Sequence, residues 1–260
     1  FWTLGVGGTL VLPDAGRTDD LQHLLDCVVA NSVSHLLCVP SLWQLMLRED
    51  EGQLKLLRTA IVAGEACPVA LANSHGQALP NTHLYNEYGP TEATVWASVG
   101  KVQASVRART VAIGSPVPGV QLWVADEQGR LAPTGVAGEL LIGGPTLATS
   151  YVNRERETSL SFTTDLACSG GLRVYRTGDK VRWLEEGTLE YIGRNDGQVT
   201  LQGRRIETAE IEAAIGRHPS VNEAAVVLAQ SADVLPDDAA ILQALATIDL
   251  EVAEAMLAQV

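Results

Sequence analysis

The sequence predicts an α/β fold: a large-subdomain fragment with a parallel sheet and a β-rich block, followed by the start of a small α+β subdomain. Between Gly8 and Gly89, short apolar runs alternate with amphipathic stretches, a pattern typical of a parallel sheet covered by helices. From about Val111 to Ile192 the apolar runs shorten and are broken by Gly and Pro. That texture indicates antiparallel hairpins.

The first region contains four apolar runs that predict strands and three longer segments that predict helices. The strand segments are GGTLVLPD, SHLLCVP, LRTAIVAGE and THLYNEYG, and the helix segments are TDDLQHLLDCVVANS, SLWQLMLRED and PVALANSHGQAL. In open parallel sheets, ligands bind beyond the carboxyl ends of the strands. We therefore expect a site where GEA follows TAIVA and where EYGPTE follows THLYN.

The β-rich block is predicted to contain hairpins that turn at DEQG and EEG. After Asn195, a short strand QVTLQG leads into a helix that begins near Thr208 and then into a strand NEAAVVLAQ. The last thirty residues have apolar positions at helical spacing and acidic residues between them. The predicted division is therefore residues 1–195, residues 196–230 after a hinge, and a helical linker or docking segment at 231–260.

Composition excludes several classes of partner. The chain has 18 Lys and Arg against 31 Asp and Glu, a net charge of −13, which would repel nucleic acid and anionic lipid. The four cysteines have no CxxC spacing, and the five histidines do not cluster near them. No stretch approaches 18 uninterrupted apolar residues. We expect a reduced, cytoplasmic setting with neither nucleic acid nor membrane as partner.

The segment NEYGPTE at residues 86–92 carries the sharpest chemical signal. Gly89 and Pro90 force a turn just past a strand, and Tyr88 offers a flat face for a purine. A hydroxyl at Thr91 beside a carboxylate at Glu92 suits a phosphate with its magnesium ion. The alternative interpretation is an ordinary polar turn.

Three further segments are YRTGD at 175–179, GRNDGQV at 193–199 and GELLIGG at 138–144. A carboxylate such as Asp179 can accept both hydroxyls of a ribose, and an Arg such as Arg194 can reach a phosphate or a ribose oxygen. Taken alone, RTGD is also consistent with a hairpin turn. GRNDGQV has the polar, Gly-rich composition of a hinge. We interpret GELLIGG mainly as a structural hairpin whose glycines permit tight packing.

Together and in this order, NEYGPTE, GELLIGG, YRTGDK and GRNDGQVTLQGRRIE resemble the adenylate-forming, AMP-binding superfamily, and specifically the adenylation domains of nonribosomal peptide synthetases. The resemblance implies an ATP-dependent ligase that activates an amino acid or related acid as acyl-AMP. It also implies transfer to the phosphopantetheine thiol of a peptidyl carrier domain. The implied cofactors are ATP/AMP and Mg²⁺, and an inserted tailoring domain is a further candidate partner.

The resemblance also assigns residues to roles. Tyr88 would stack near the adenine, Thr91 would contact the α-phosphate and Glu92 would hold magnesium, which makes Thr91 and Glu92 the candidate catalytic residues. Asp179 would bind the ribose hydroxyls, Arg194 would assist at the ribose and phosphate, and Asp196 would be the hinge. The full set of candidate cofactor-binding residues is Gly64, Glu65, Ala66, Asn86, Tyr88, Gly89, Asp179, Tyr191 and Arg194.

The implied substrate pocket is lined by six side chains, Cys38, Ile61, Ala63, Glu87, Val95 and Trp96. A carboxylate at Glu87 would be costly to bury without a partner, so a substrate with a hydrogen-bond donor is mildly favoured. For Cys38, Ile61 and Ala63, an equally good interpretation is that they are core residues at strand ends.

The sequence also departs from the family pattern, so we expect the chain to be incomplete as an enzyme. The family's phosphate loop, which should lie upstream, is not found, and no Lys follows Lys180 to act as the C-terminal catalytic lysine. Two alternatives stay open. One is a catalytically incomplete scaffold that docks neighbouring or inserted domains, and the other is an acyl-CoA or aryl-acid ligase of the same superfamily.

Overall fold

The structure, a computed structural model, describes residues 2–102, 111–195, 198–201, 204–215, 217–218, 221 and 226. The chain forms two compact units, Phe1–Asn195 and Asp196–Val260. The first unit contains two five-stranded sheets, and the described part of the second contains one hairpin and one helix.

The first sheet has the strand order β1-β2-β3-β4-β5. Its parallel part is formed by β1 (His35–Cys38), β2 (Thr59–Ala63) and β3 (His83–Tyr88), and the antiparallel strands are β4 (Ser98–Lys101) and β5 (Ser115–Pro116). Three of the four predicted strands are therefore present in parallel register. Their carboxyl ends lie at one edge of the sheet, where GEA and GPTE follow.

Helices precede and connect the parallel strands, in the positions that the amphipathic segments predict. They are α2 (Leu21–Ala30), α3 (Pro40–Asp50) and α4 (Val69–Ala78), preceded by the short α1 (Trp2–Gly5). Asp20 caps the start of helix α2, because its carboxylate accepts a hydrogen bond from the His23 amide. Helix α3 begins with Pro40, whose fixed φ suits the first helical position.

The core of this half is apolar. The helices and the sheet bury large side chains together, including Leu25, Trp43, Leu54, Leu71 and Leu84. Burial of each such side chain contributes roughly 1.5–3 kcal/mol. The packing fixes the parallel strands and therefore the edge at which the site residues lie.

The predicted strand in GGTLVLPD is wrong, because residues 8–13 have no regular secondary structure. Leu10 and Leu12 are 54% and 72% exposed. An alternating apolar pattern becomes a strand only when a neighbouring strand satisfies its backbone groups, and no described strand pairs with this segment.

The second sheet is antiparallel and has the order β10-β9-β7-β6. Its strands are β6 (Gln121–Ala125), β7 (Gly138–Gly143), β9 (Val174–Trp183) and β10 (Leu189–Arg194), and the short β8 (Phe162–Thr163) pairs with β9. Helix α5 (Glu155–Ser161) precedes β8. The predicted turns are present: DEQG leads from β6 to an isolated bridge at Leu131, and EEG joins β9 to β10.

The second unit is described only in part. Strands β11 (Gln198–Leu201) and β12 (Arg204–Glu207) form an antiparallel hairpin, and α6 (Thr208–Ile215) follows. The helix begins at Thr208, as the sequence predicts. Asp196, the NEAAVVLAQ strand apart from Val226, and the segment 231–260 lie outside the described residues.

Candidate functional site

A tight turn follows β3 and carries the NEYGPTE residues to the edge of the sheet. A Cβ on Gly89 would lie 1.9 Å from the Val95 carbonyl oxygen, so only glycine permits this close approach. Thr91–Ala93 form one turn of 3₁₀ helix. Thr94 and Val95 then adopt left-handed backbone conformations, with φ of 59° and 75°, which are uncommon for β-branched residues and occur mainly at functional sites.

Tyr88, at the end of β3, contacts the second sheet directly. Its hydroxyl donates a short hydrogen bond to Asp179 Oδ2, and its ring lies 6.5 Å from that of Tyr191, centroid to centroid. Arg194 Nη1 donates to Asp179 Oδ1 at 2.8 Å. The structure therefore brings together four of the predicted nucleotide residues, Tyr88, Asp179, Tyr191 and Arg194.

A break in strand register determines the Asp179–Arg194 pairing. The β9–β10 pairing shifts between Tyr191 and Gly193, which places Arg194 opposite Asp179. Asp179 is 5% exposed, and its amide donates to the Thr177 hydroxyl at 2.9 Å. The carboxylate is therefore buried at a fixed position, and charge-assisted hydrogen bonds offset its desolvation.

The Tyr88 hydroxyl stays protonated in this network. Burial raises the pKa of Tyr88 well above its ordinary value, and the neighbouring Asp179 charge raises it further. The hydroxyl therefore donates, and Asp179 accepts. A carboxylate only accepts hydrogen bonds and offers several lone pairs, so it is the kind of group that binds ribose hydroxyls.

Glu92 is the other buried carboxylate of the site and is 7% exposed. Its Oε1 accepts from the Tyr151 hydroxyl at 2.6 Å, and its backbone carbonyl accepts from the Ala148 amide at 2.8 Å. Thr91, beside it, is exposed. Tyr151 was missed by the sequence analysis, because a Tyr in the loop after GELLIGG belongs to none of the segments with recognisable chemistry.

A cavity of about 310 Å³ opens at the carboxyl ends of β1 and β2. It is lined by Leu37, Cys38, Val39, Ala63, Gly64, Gly89, Val95 and Trp96. Four of the six predicted pocket residues thus lie on its wall, while Leu37 and Val39 are additions. Burial, with a smaller contribution from Glu65, raises the pKa of the Cys38 thiol to about 12, so Cys38 is a neutral apolar wall.

The other two predicted pocket residues do not line this cavity. Ile61 is 5% exposed and lies in the middle of β2, between its register partners Leu37 on β1 and Tyr85 on β3. Glu87 is half-buried, and desolvation raises the pKa of its carboxyl above the ordinary value. Ile61 is a core residue here, the interpretation that the sequence left open.

Three predicted cofactor residues have other positions. Asn86 is 1% exposed and donates its amide to the carbonyls of Val111 and Ala112, at 3.3 and 3.1 Å. Glu65 accepts from the amide and hydroxyl of Ser41 at 3.1 Å each and so caps α3. Ala66 is exposed and is not part of the cavity wall. We leave these three out of the proposed nucleotide contacts.

The GELLIGG segment has a structural use. The Glu139 carboxylate of β7 pairs with Arg176 of β9 at 2.6 Å and accepts from the Gly178 amide at 3.2 Å. These contacts connect GELLIGG to the strand that carries Asp179. A second groove, of about 280 Å³ between α3 and α4, contains none of the predicted site residues.

The donor groups fit a magnesium nucleotide. Mg²⁺ is usually bound by one or two carboxylates together with substrate phosphates, and Glu92 beside the Thr91 hydroxyl supplies such a donor set. Within the described ranges, no three His, Cys, Asp or Glu side chains form a metal cluster. Asp179, Arg194 and the two tyrosine rings supply ribose acceptors, a cation and flat faces.

None of the helices in the described part of the chain has the length and apolar character needed to span a membrane. All four cysteines are described and none forms a disulfide.

Comparison with known proteins supports the same interpretation. Residues 1–152 match the family described as "AMP-binding enzyme". Tyrocidine synthase 3 of Brevibacillus parabrevis is 39% identical over 223 residues, which cover 85% of this chain and 3% of that protein. Phosphinothricin tripeptide synthetase PhsB of Streptomyces viridochromogenes is 39% identical over 231 residues, covering 87% of this chain and 19% of that protein.

Solved structures give the same result. PA1221, a nonribosomal peptide synthetase protein containing adenylation and PCP domains, matches with a TM-score of 0.79 at 31% identity, over 86% of this chain and 46% of that one. IdnL1, at 24% identity and a TM-score of 0.80 over 96% of this chain and 55% of that one, is similar in fold. The chain thus spans about half of these structures and under a fifth of the curated relatives named above. It belongs to the AMP-binding enzyme family.

Proposed function

We propose that this chain forms the nucleotide- and substrate-binding part of an adenylation domain in nonribosomal peptide synthesis. The reaction joins an amino acid, or a related carboxylic acid, to ATP. A substrate carboxylate oxygen bonds to the α-phosphorus, the bond from that phosphorus to pyrophosphate breaks, and acyl-AMP results. The phosphopantetheine thiol of a carrier domain then bonds to the acyl carbon, the bond from that carbon to the phosphate oxygen breaks, and AMP and the thiol proton leave.

The single observation that carries this proposal is the bond from Tyr88 to Asp179. It joins the end of the parallel sheet to the β-rich block, so that NEYGPTE and YRTGD contribute to one cluster. With Arg194 on the other carboxylate oxygen, the cluster offers acceptors for a ribose beside a flat tyrosine face. The Thr91–Glu92 turn begins three residues further along the chain.

Each group in the cluster has a task in binding. Asp179 accepts hydrogen bonds from the ribose hydroxyls, and Arg194 holds the carboxylate in place beside a phosphate or ribose oxygen. Thr91 donates a hydrogen bond to the α-phosphate, and Glu92 would hold Mg²⁺. When bound, the metal would supply positive charge that neutralises the phosphates.

The cavity at the ends of β1 and β2 is the proposed place for the substrate side chain. Its wall is mainly apolar, so burial of an apolar side chain there supplies binding free energy. Gly64 and Gly89 contribute no side chains and leave room within the cavity. Glu87, half-buried on β3, mildly favours a substrate with a hydrogen-bond donor.

Partners and setting complete the proposal. The acceptor is a peptidyl carrier domain, and an inserted tailoring domain is a further candidate. A cytoplasmic setting agrees with the four free cysteines. The hinge at Asp196 would allow the small subdomain to rotate between adenylation and transfer.

The test is ATP–pyrophosphate exchange in the complete polypeptide that carries this chain. Glu92→Ala should lower the exchange rate on the order of 100-fold, because one preorganised group that stabilises transition-state charge has roughly this effect. Glu186→Ala, which removes an exposed carboxylate in the β9–β10 turn, is the matched control and should retain exchange. Wild-type exchange in Glu92→Ala would contradict the proposal, and so would the complete absence of substrate-dependent exchange.

A further inference from the structure

Three hydrogen bonds connect the turn that carries Glu92 to the loop after β7. The Ala148 amide donates to the Glu92 carbonyl at 2.8 Å, and the Thr94 hydroxyl donates to the Thr146 carbonyl at 2.6 Å. The third bond, from the Tyr151 hydroxyl to Glu92 Oε1 at 2.6 Å, reaches the carboxylate itself. Backbone and side chain of Glu92 are thus both held by residues 146–151, which we call the brace loop.

The brace loop is itself fixed by Arg173. The Arg173 guanidinium donates to the carbonyls of Ala148 and Thr149, at 2.9 and 2.7 Å, and lies 4.4 Å from the centre of the Phe162 ring. A guanidinium over an aromatic face is attracted electrostatically to the ring. Because Arg173 directly precedes β9, the loop is attached to the second sheet.

Tyr151 is held on three sides. Its ring packs edge-on against Phe162, with centroids 5.7 Å apart, and its amide donates to the Thr158 hydroxyl at 3.0 Å. The Tyr151 hydroxyl donates its hydrogen bond to Glu92 Oε1.

We propose that Tyr151 is a positioning residue whose hydroxyl orients the Glu92 carboxylate toward Mg²⁺. Arg173 fixes the brace loop through its hydrogen bonds to two loop carbonyls. This inference rests on the proposed function, since that function places the metal at Glu92. Tyr151 itself touches neither metal nor nucleotide in this account. It acts by restricting the rotation of the Glu92 carboxylate.

The physical reason is the burial of Glu92. A carboxylate that is 7% exposed has lost most of its hydration, and a charge-assisted hydrogen bond offsets part of that loss. The tyrosine hydroxyl contributes such a bond without adding a positive charge of its own. A Lys or Arg in the same place would compete with Mg²⁺ electrostatically.

The test is a Mg²⁺ titration of nucleotide binding, by calorimetry, in the complete polypeptide that carries this chain. Tyr151→Phe keeps the ring against Phe162 and removes only the hydroxyl. We expect the Mg²⁺ concentration for half-maximal ATP binding to rise about tenfold, as it does when the hydrogen-bond partner of a metal ligand is lost. Excess Mg²⁺ should restore binding, because the metal ligand is intact. The thermal unfolding midpoint should fall by only several degrees, because a buried carboxylate loses one hydrogen bond while the packing of the ring is kept.

Two variants separate positioning from general effects. Tyr85→Phe makes the same change on β3, where the Tyr85 hydroxyl has no hydrogen bond to any described residue, and it should titrate like the wild type. Arg173→Lys cannot donate to both loop carbonyls in the same planar geometry. It should raise the Mg²⁺ concentration for half-maximal ATP binding, as Tyr151→Phe does, but by a smaller factor.

The outcomes distinguish this inference from the proposed function. If Glu92→Gln weakens Mg²⁺-dependent binding while Tyr151→Phe titrates like the wild type, the positioning role is wrong and the proposed function stands. Equal weakening in Tyr151→Phe and Tyr85→Phe would also overturn it. If the wild type binds no magnesium nucleotide, both ideas fail together.

Discussion

Two regions of the site differ in the side chains that form them. One is the cavity at the ends of β1 and β2, and the other is what we call the carboxylate network: Asp179 with Tyr88 and Arg194, and Glu92 with Tyr151. The cavity wall consists mainly of apolar side chains and glycines, whose contribution depends on volume. In the network, Asp179 and Glu92 are buried, and each accepts a hydrogen bond from a tyrosine hydroxyl. Separate residues therefore supply shape and charge, and we expect the cavity to select the acid and the network to bind the nucleotide.

Variants that change one region alone test whether the two regions have separate roles. A change of cavity volume should alter which acid is activated and leave nucleotide affinity unchanged. A change of a single polar atom in the network should do the reverse.

The largest expected effect is on nucleotide binding by Asp179→Asn. The Asn side chain has one acceptor oxygen and one NH₂ donor, so it cannot accept hydrogen bonds at both positions as Asp179 does. Arg194 also loses the negative charge that it contacts in the wild type. Loss of two hydrogen bonds to a charged group, at roughly 1.5 kcal/mol or more each, weakens ATP binding about 100-fold as measured by calorimetry. The apparent selectivity among acids should stay the same.

Glu190→Gln is the matched control for that variant. Glu190 is also a buried carboxylate on the β9–β10 hairpin, but its carboxylate pairs with Arg182, at 2.5 Å, rather than with Tyr88 or Arg194. ATP affinity should be close to that of the wild type. If both variants lose binding equally, the effect comes from the hairpin rather than from the site.

The second prediction concerns Ala63→Leu, which adds three carbon atoms to the cavity wall. Activation of the largest acid accepted by the wild type should fall about tenfold or more in kcat/KM, since one methylene in an apolar pocket is worth roughly 1–3 kcal/mol. Smaller acids should lose less, as measured by pyrophosphate exchange across a substrate series. Ala66→Leu, at an exposed position off the cavity wall, should leave the series unchanged.

The smallest expected effect concerns stability rather than activity. His75 is 4% exposed in the core of the helical half and bonds to the Thr82 carbonyl at 2.9 Å. Burial lowers the pKa of His75 below 6.5, against a smaller opposing effect of the Thr82 bond. Below about pH 6.5 the unfolded chain therefore binds a proton that the folded chain does not, and stability falls with pH by at most about 1.4 kcal/mol per unit.

Urea unfolding between pH 7.5 and 5.5 measures this contribution. His75→Phe removes the titrating group from the core, so the decline in unfolding free energy below pH 6.5 should become shallower than in the wild type. An identical pH slope in the variant would show that other groups cause the decline.

The fold was largely predictable because its elements depend on local patterns. Strands β1–β3 are apolar runs bounded by turn residues, and the helices between them carry their own start signals, such as Asp20 before α2. The irregular backbone of residues 8–13 could not be predicted from their local pattern. Their apolar pattern is that of a strand, but pairing depends on a neighbour elsewhere in the chain.

The site was predictable in its motif residues and not in its contacts. NEYGPTE and YRTGD could be recognised because turns, hydroxyls and carboxylates occur together in the sequence. The Arg194–Asp179 pairing depends on the register shift near Gly193, which strand patterns do not reveal. Asn86 occurs in NEYGPTE, and Ile61 and Glu65 occur in TAIVAGEA at residues 59–66. In the structure Asn86 bonds to backbone carbonyls, Ile61 lies in the core and Glu65 caps a helix.

The most direct test is a crystal structure of the complete polypeptide with AMP and Mg²⁺. We expect the ribose hydroxyls to bind Asp179 and the purine to lie against the Tyr88 ring. We expect the metal to bind Glu92, which still accepts a hydrogen bond from Tyr151. AMP bound elsewhere, with Asp179 and Glu92 contacting different molecules, would contradict the claim that these two carboxylates serve one nucleotide.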